Sequence, residues 1–291
     1  MAPVRVLTAA GAIVASLSLP TAAQNNPSLT SLLERGAAYV AAYAPRVSGV
    51  ILEEQYMLVE IAGTMTVPQR IASDVVLINV NGQTIALRDI YAVDTKPVRE
   101  RTPRINALLA TPTSAGWELA QQYPRQSQHY FRAEIVLHAS EPMLALQFLD
   151  EVNQPRLTYR LDGQKKMNGV AVAGLRFQEP TARDKQYMLG TRGNAAASGR
   201  FWVDIATGAI HQTELWLESP TETARIQVNY APDATLGFVL PKEASATFEE
   251  RQPGFGATNM GSGALTGRMR FECTVKYSNP RHMPIDLTKI K

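Results

Sequence analysis

Four histidines, a single cysteine, three tryptophans and two pairs of adjacent glutamates have the widest chemical reach in this 291-residue chain. Two imidazoles share one metal ion when a spacing such as His-Glu-x-x-His sets them on one face of one element. His129, His138, His211 and His282 show no such spacing. His138 falls on the polar side of an alternating strand. His211 shares a face with Leu215 and Leu217, where an imidazole satisfied in the core is the simplest reading. No Gly-x-Ser-x-Gly elbow occurs, and no Ser-x-x-Lys opens a helix, so no hydrolase nucleophile stands out. Such an activity would need His138 or His282 to converge with a serine and an aspartate.

Glu53-Glu54 and Glu249-Glu250 are adjacent, so on a strand their side chains leave opposite faces. A working acid/base pair must converge with one pKa raised, and both pairs therefore read as solvated strand edges. The stretch from Gly254 to Gly263 is glycine-rich, but it lacks the lysine and the following helix of a phosphate loop and reads as a hairpin loop. Cys273 alone cannot form a disulfide within the chain or build a cysteine zinc or iron–sulfur site. It alternates with Phe271 and Val275, as a buried and inert thiol would. The expectation is a protein that is not an enzyme and has neither metal nor cofactor.

Trp202 and Trp216 are less neutral. In the hairpin 200–218 both fall on the polar face, beside Arg200, Asp204, Glu214 and Glu218. Either they pack together across the strands beneath a loop, or they form an exposed aromatic patch for a partner protein.

The elements that carry these residues follow from composition and pattern. With 45% hydrophobic and 19% charged residues the chain is of ordinary globular type. Its net charge of +3 is spread along the sequence, which is no footprint for nucleic acid. Residues 1–23 read as a secretory signal peptide: Arg5, an uncharged apolar run from Val6 to Leu19, Pro20, then Thr21-Ala22-Ala23, with cleavage before Gln24. The run is too short to span a bilayer. No cysteine near the cut allows N-terminal acylation. The expected product is a periplasmic or secreted domain, residues 24–291, that is not an integral membrane protein.

Residues 28–44 repeat Leu29, Leu32, Leu33, Ala37, Val40 and Ala44 at helical spacing behind Ser28, and Pro45 ends the pattern. Strand signals cover 47–61, 74–80 and 83–93, the last two flanking the hairpin pair Asn81-Gly82. Residues 103–123 have mixed helical spacing, and 130–138 alternate. A helix is expected at 141–152, apolar almost all round and hence buried. Strands then fill 156–277, with turns at Asp162-Gly163 and Ala206-Thr207-Gly208, a polar loop at 183–198, and a strand at 236–249 whose Pro241 marks an edge or a bulge. The sum is α+β: a large curved antiparallel sheet, an unclosed β-barrel, with helices packed on the concave face. A membrane-spanning barrel is opposed by the helical interruption at 101–152, the charged Lys289-Ile290-Lys291 end and 7% aromatic content.

The segment Gly199-Arg-Phe-Trp-Val-Asp204-Ile-Ala-Thr-Gly208, followed by an alternating apolar strand and by Leu240-Pro241, resembles the LolA/LolB-like lipoprotein-carrier superfamily of the bacterial envelope. It also resembles exported bacterial proteins that share the Gly-Arg-Phe-Trp-Val-Asp signature. The resemblance covers residues 28–277 in element order. It implies a half-barrel whose concave cavity holds the acyl chains of lipids or acylated proteins. The lining would be Phe201, Val203, Leu215, Leu217, Ile226, Val228, Phe271 and Val275 from strands, with Leu144 and Phe148 from the helix. Each buried methylene of a ligand contributes about 0.8 kcal/mol, so such a cavity needs no polar code. Two readings stay open: a non-catalytic carrier or sensor of an apolar ligand, or an envelope interaction module whose same residues fill a dry core.

Overall fold

The computed structural model describes residues 27–62, 64–80, 83–99, 101, 129–131, 141–180, 195–219, 222–250 and 269–283. The signal segment, most of 103–140, the Gly254–Gly263 stretch and the carboxyl end therefore lie outside the described residues.

The first helix, α1, runs Leu29–Val47, and the Ser28 hydroxyl caps it by accepting from the Ser31 N–H at 3.1 Å. It passes through Pro45 and ends before Gly49, whose φ is +88°. A proline removes one N–H from the ladder, and in the last turn that does not stop the two residues that follow.

Among the described residues eleven strands form one sheet: β1 Val50–Ala62, β2 Met65–Val80, β3 Gln83–Val93, β4 Lys96–Pro97, β5 Thr158–Met167, β6 Val170–Gln178, β7 Ala196–Asp204, β8 Ile210–Glu218, β9 Glu222–Pro232, β10 Val239–Glu250 and β11 Met269–His282. Its order is β4-β3-β2-β1-β11-β10-β9-β8-β7-β6-β5, so two antiparallel meanders meet where the first strand pairs with the last. The sheet is not closed: β4 and β5 are its two ends. Val80 pairs with Gln83, as the Asn81-Gly82 signal requires.

Two elements differ from the sequence reading, and a third, β10, takes the bulge of the two alternatives expected at Pro241. The chain does not turn at Asp162-Gly163. β5 continues through a register shift between Leu161 and Gln164, and the turn is Asn168-Gly169, both at positive φ. An Asn-Gly pair suits two left-handed positions better than Asp-Gly within a strand. β10 is bulged at Pro241 but central, between β9 and β11. The expected helix at 141–152 is a 3-10 segment, Leu144–Leu149, followed by a second short 3-10 turn, Gln154–Arg156, with Pro155 in it. Its six residues, with Ala145, Leu146, Phe148 and Leu149 all buried, pack against α1 and β8, and runs of 3-10 geometry are typically this short.

The Asp204–Gly208 turn joins these layers. The Asp204 carboxylate accepts from the N–H groups of Ala206 (2.7 Å) and Thr207 (3.1 Å). Arg35 of α1 donates to the Ile205 carbonyl. Gly208 has a φ of +78°, and a Cβ there would lie 2.5 Å from the Arg35 carbonyl oxygen. The turn thus clamps α1 to the sheet, and only glycine fits the contact.

Candidate functional site

The ten residues expected to line a cavity lie in one packed core cluster. Phe148, Phe201, Val203, Leu215, Ile226, Val228, Phe271 and Val275 are buried in one cluster, and Leu144 and Leu217 are half-buried against it. Phe177 joins them from β6 and was not anticipated, although its alternation with Leu175 is visible in the sequence. It stacks on Phe148 at 4.8 Å and on Phe201 at 5.0 Å, so one aromatic column runs from the 3-10 segment into the sheet. Two tyrosines of the sheet hold that segment from below. Tyr159 donates to the Phe148 carbonyl and Tyr230 to the Pro142 carbonyl. Gln154 donates to the Leu149 carbonyl at 2.9 Å and to the Leu33 carbonyl of α1 at 3.4 Å.

The same face carries a buried polar group. Glu54 does leave the opposite face from Glu53, but it is not a solvated strand edge: it is fully buried and ion-paired with Arg88, itself 4% exposed. The Arg88 Nη2 donates to Glu54 Oε1 at 2.8 Å, and Ser73 Oγ donates to Oε2 at 2.6 Å. The partner lies two strands away on β3, so adjacency in sequence gave no sign of it. Burial alone would lower the Arg88 pKa, and the Glu54 carboxylate more than offsets this. Nearby, Tyr56 meets the ring of Phe131 edge-on at 5.3 Å. Burial pushes the Cys273 thiol up to about 11, which leaves it protonated and unreactive.

Glu141 precedes the 3-10 segment. Burial pushes its carboxyl up to about 7 from an ordinary 4.5, against a weaker pull from Arg88. The folded pKa lies above the unfolded one, so between these values the folded chain binds the proton more tightly. This contribution is complete below about pH 4.5 and is lost as pH rises through 7. Glu141→Gln is expected to flatten that fall and to exceed the parent in stability at about pH 8 by on the order of 2 kcal/mol. Urea unfolding at about pH 5 and about pH 8 checks this, and an equal fall in both proteins contradicts it.

The two tryptophans lie on the polar face, but not side by side. Trp202 pairs with Gln212 and Trp216 with Ser198, and the Arg200–Glu214 pair stands between them. Trp202 is 7% exposed: Lys165 lies 3.7 Å and Arg200 4.9 Å from its ring centre. Its indole N–H donates to Glu214 at 3.3 Å. Trp216 is half-buried, with the Arg176 guanidinium 4.9 Å above it.

Among the described residues no three His, Cys, Asp or Glu side chains are grouped to hold a metal ion, and no helix is long and apolar enough to cross a membrane.

No protein-family model matches the chain, and no curated protein matches its sequence. Solved structures do. One is a domain assigned to the outer membrane lipoprotein-sorting proteins of Vibrio parahaemolyticus, 12% identical, with a TM-score of 0.38 over 86% of this chain and 93% of that one. A DUF1329 family protein from Desulfovibrio piger is 10% identical, with a TM-score of 0.36 over 89% and 97%. A LolA superfamily protein from Nitrosomonas europaea is 10% identical, with a TM-score of 0.30 over 88% and 97%. Lipoprotein-sorting and LolA superfamily proteins are thus among those this chain is similar to. At these scores the likenesses carry no functional argument, which rests on the chain's own residues.

Proposed function

We propose that residues 24–291 form one exported domain, freed of residues 1–23 by cleavage before Gln24, that carries or senses a lipid or other apolar ligand and performs no catalysis. The ligand lies on the concave side of the half-barrel, against Phe201, Val203, Leu215, Leu217, Ile226, Val228, Phe271 and Val275. The observation that supports this is the nature of the segment packed against that apolar cluster. Leu144–Leu149 is a 3-10 segment that takes no part in the sheet ladder, and the tyrosine hydroxyls of Tyr159 and Tyr230 tie it down. An acyl chain that displaces Leu144, Leu146 and Phe148 exchanges apolar contacts for apolar contacts. The hydrogen bonds given up are worth only about 1 kcal/mol each. A cover of this kind can yield to a ligand without unfolding the sheet.

The test is mass spectrometry of an organic extract of the mature protein, purified from the periplasm without detergent. A stoichiometric acyl species absent from a mock purification is the expected result. Tyr159→Phe with Tyr230→Phe frees the cover and is expected to bind a fluorescent fatty acid about tenfold more tightly. No extracted lipid, together with no thermal shift on adding fatty acids or phospholipids, would overturn the proposal.

A further inference from the structure

The end of the sheet at β5 combines an open edge with an unbalanced charge. Among the described residues no strand pairs with its outer side; β6 alone holds it. Along β5, Arg160, Lys165 and Lys166 are exposed, against one carboxylate, Asp162. Behind it the register places Arg160 opposite Arg176, and Arg176 opposite Arg200, so three guanidinium groups form one row across β5, β6 and β7. Like charges directly opposite one another destabilise a sheet.

Only one of the three is neutralised. Arg200 donates to both oxygens of Glu214, at 2.8 and 2.9 Å, and to Asp162 at 3.1 Å. Arg160 and Arg176 have no carboxylate partner among the described residues. Arg176 is nevertheless held in place, its flat face over Trp216, which leaves its N–H edge to donate elsewhere. Burial, and then the neighbouring Arg200, hold the Lys165 ammonium below the usual lysine range, with Glu214 pulling the other way. A second copy of the chain does not suit this edge, because pairing β5 with β5 would oppose cation to cation.

We propose that β5 forms a docking edge for an extended acidic segment of another protein, which adds to the sheet beside β5 and places a carboxylate against Arg160, with the positive charge of Arg176 in the strand behind. Backbone hydrogen bonds to the edge would supply affinity, and acidic residues at alternate positions would supply specificity. This interaction is independent of any ligand on the apolar face.

The probe is a fluorescein-labelled octapeptide that alternates Glu with Val, with a Lys-Val peptide as its sign-reversed control. Fluorescence anisotropy is expected to saturate for the acidic peptide only and to weaken with salt. Arg160→Glu is expected to weaken binding by at least about tenfold, the loss of one charge-assisted contact. Arg160 is exposed on an edge strand, so its replacement leaves the fold intact, and a thermal melt verifies this. Hydrogen exchange of β5 amides is expected to slow when the peptide is bound. The proposal is overturned by any of four outcomes: no saturable binding, equal binding of the Lys peptide, binding indifferent to Arg160→Glu, or retention on phosphatidylglycerol vesicles without retention of the peptide.

Discussion

Arg88→Ala is expected to destabilise the fold by about 3–5 kcal/mol, the cost of leaving one partner of a buried ion pair alone. Glu54 is fully buried, and its two carboxylate oxygens receive Arg88 and Ser73 at distances down to 2.6 Å. Without the guanidinium, Ser73 alone would face a desolvated charge. Replacing both partners, as in Glu54→Leu with Arg88→Met, is expected to recover most of the loss, because apolar residues of similar volume need no counter-charge. Urea unfolding of the two single variants and the double variant decides the matter. A cost below about 1 kcal/mol for Arg88→Ala, the range of a solvent-exposed pair, would mean that water reaches Glu54.

Gly199→Ala should be nearly as severe, for a steric reason. A Cβ at this position would lie 2.1 Å from the Glu214 carbonyl oxygen and 2.6 Å from the ring of Phe177. Neither neighbour can move cheaply. The oxygen belongs to the backbone of β8, and Phe177 is the middle ring of the Phe148–Phe177–Phe201 column. Overpacking of this kind typically costs 1–3 kcal/mol and more where backbone must shift, so a loss of about 3 kcal/mol is expected. Phe177→Leu combined with Gly199→Ala should regain little, since the contact with Glu214 remains. A melting temperature within about 2 °C of the parent would contradict the argument.

The chain's strands were legible because their alternation is strict. Val228 and Tyr230 against Gln227 and Asn229 read as one buried and one wet face, and the structure agrees. Asn81-Gly82 fixed a hairpin, and Asp204-Ile-Ala-Thr-Gly208 marked a turn whose role, clamping α1 through Arg35, needed the tertiary contact to be seen. The run at 141–152 misled for the opposite reason. An apolar stretch without a polar face carries no period, so its local conformation is set by its packing against α1 and β8. Glu54 and Arg88 lie 34 residues apart, and only register brings them together. The row of Arg160, Arg176 and Arg200 is likewise invisible until β5, β6 and β7 are aligned. The ten apolar candidates share one packed cluster because each lies on the inward phase of its own element.

The seam between β1 and β11 sets the order in which this protein can be assembled. Val50 pairs with His282 and Ala62 with Met269, so the ladder in the middle of the sheet joins segments more than 200 residues apart in the chain. Contacts of such separation make folding slow, because the closure entropy of the whole intervening loop precedes any gain. The meander β1–β4 is translated first and waits with one flank of β1 open until the last strand arrives. During that interval it is a template for wrong pairing, the usual hazard of exposed edges in folding intermediates. The last strand then acts as a proofreading step, since a chain cut short before it leaves two half-sheets with no partner.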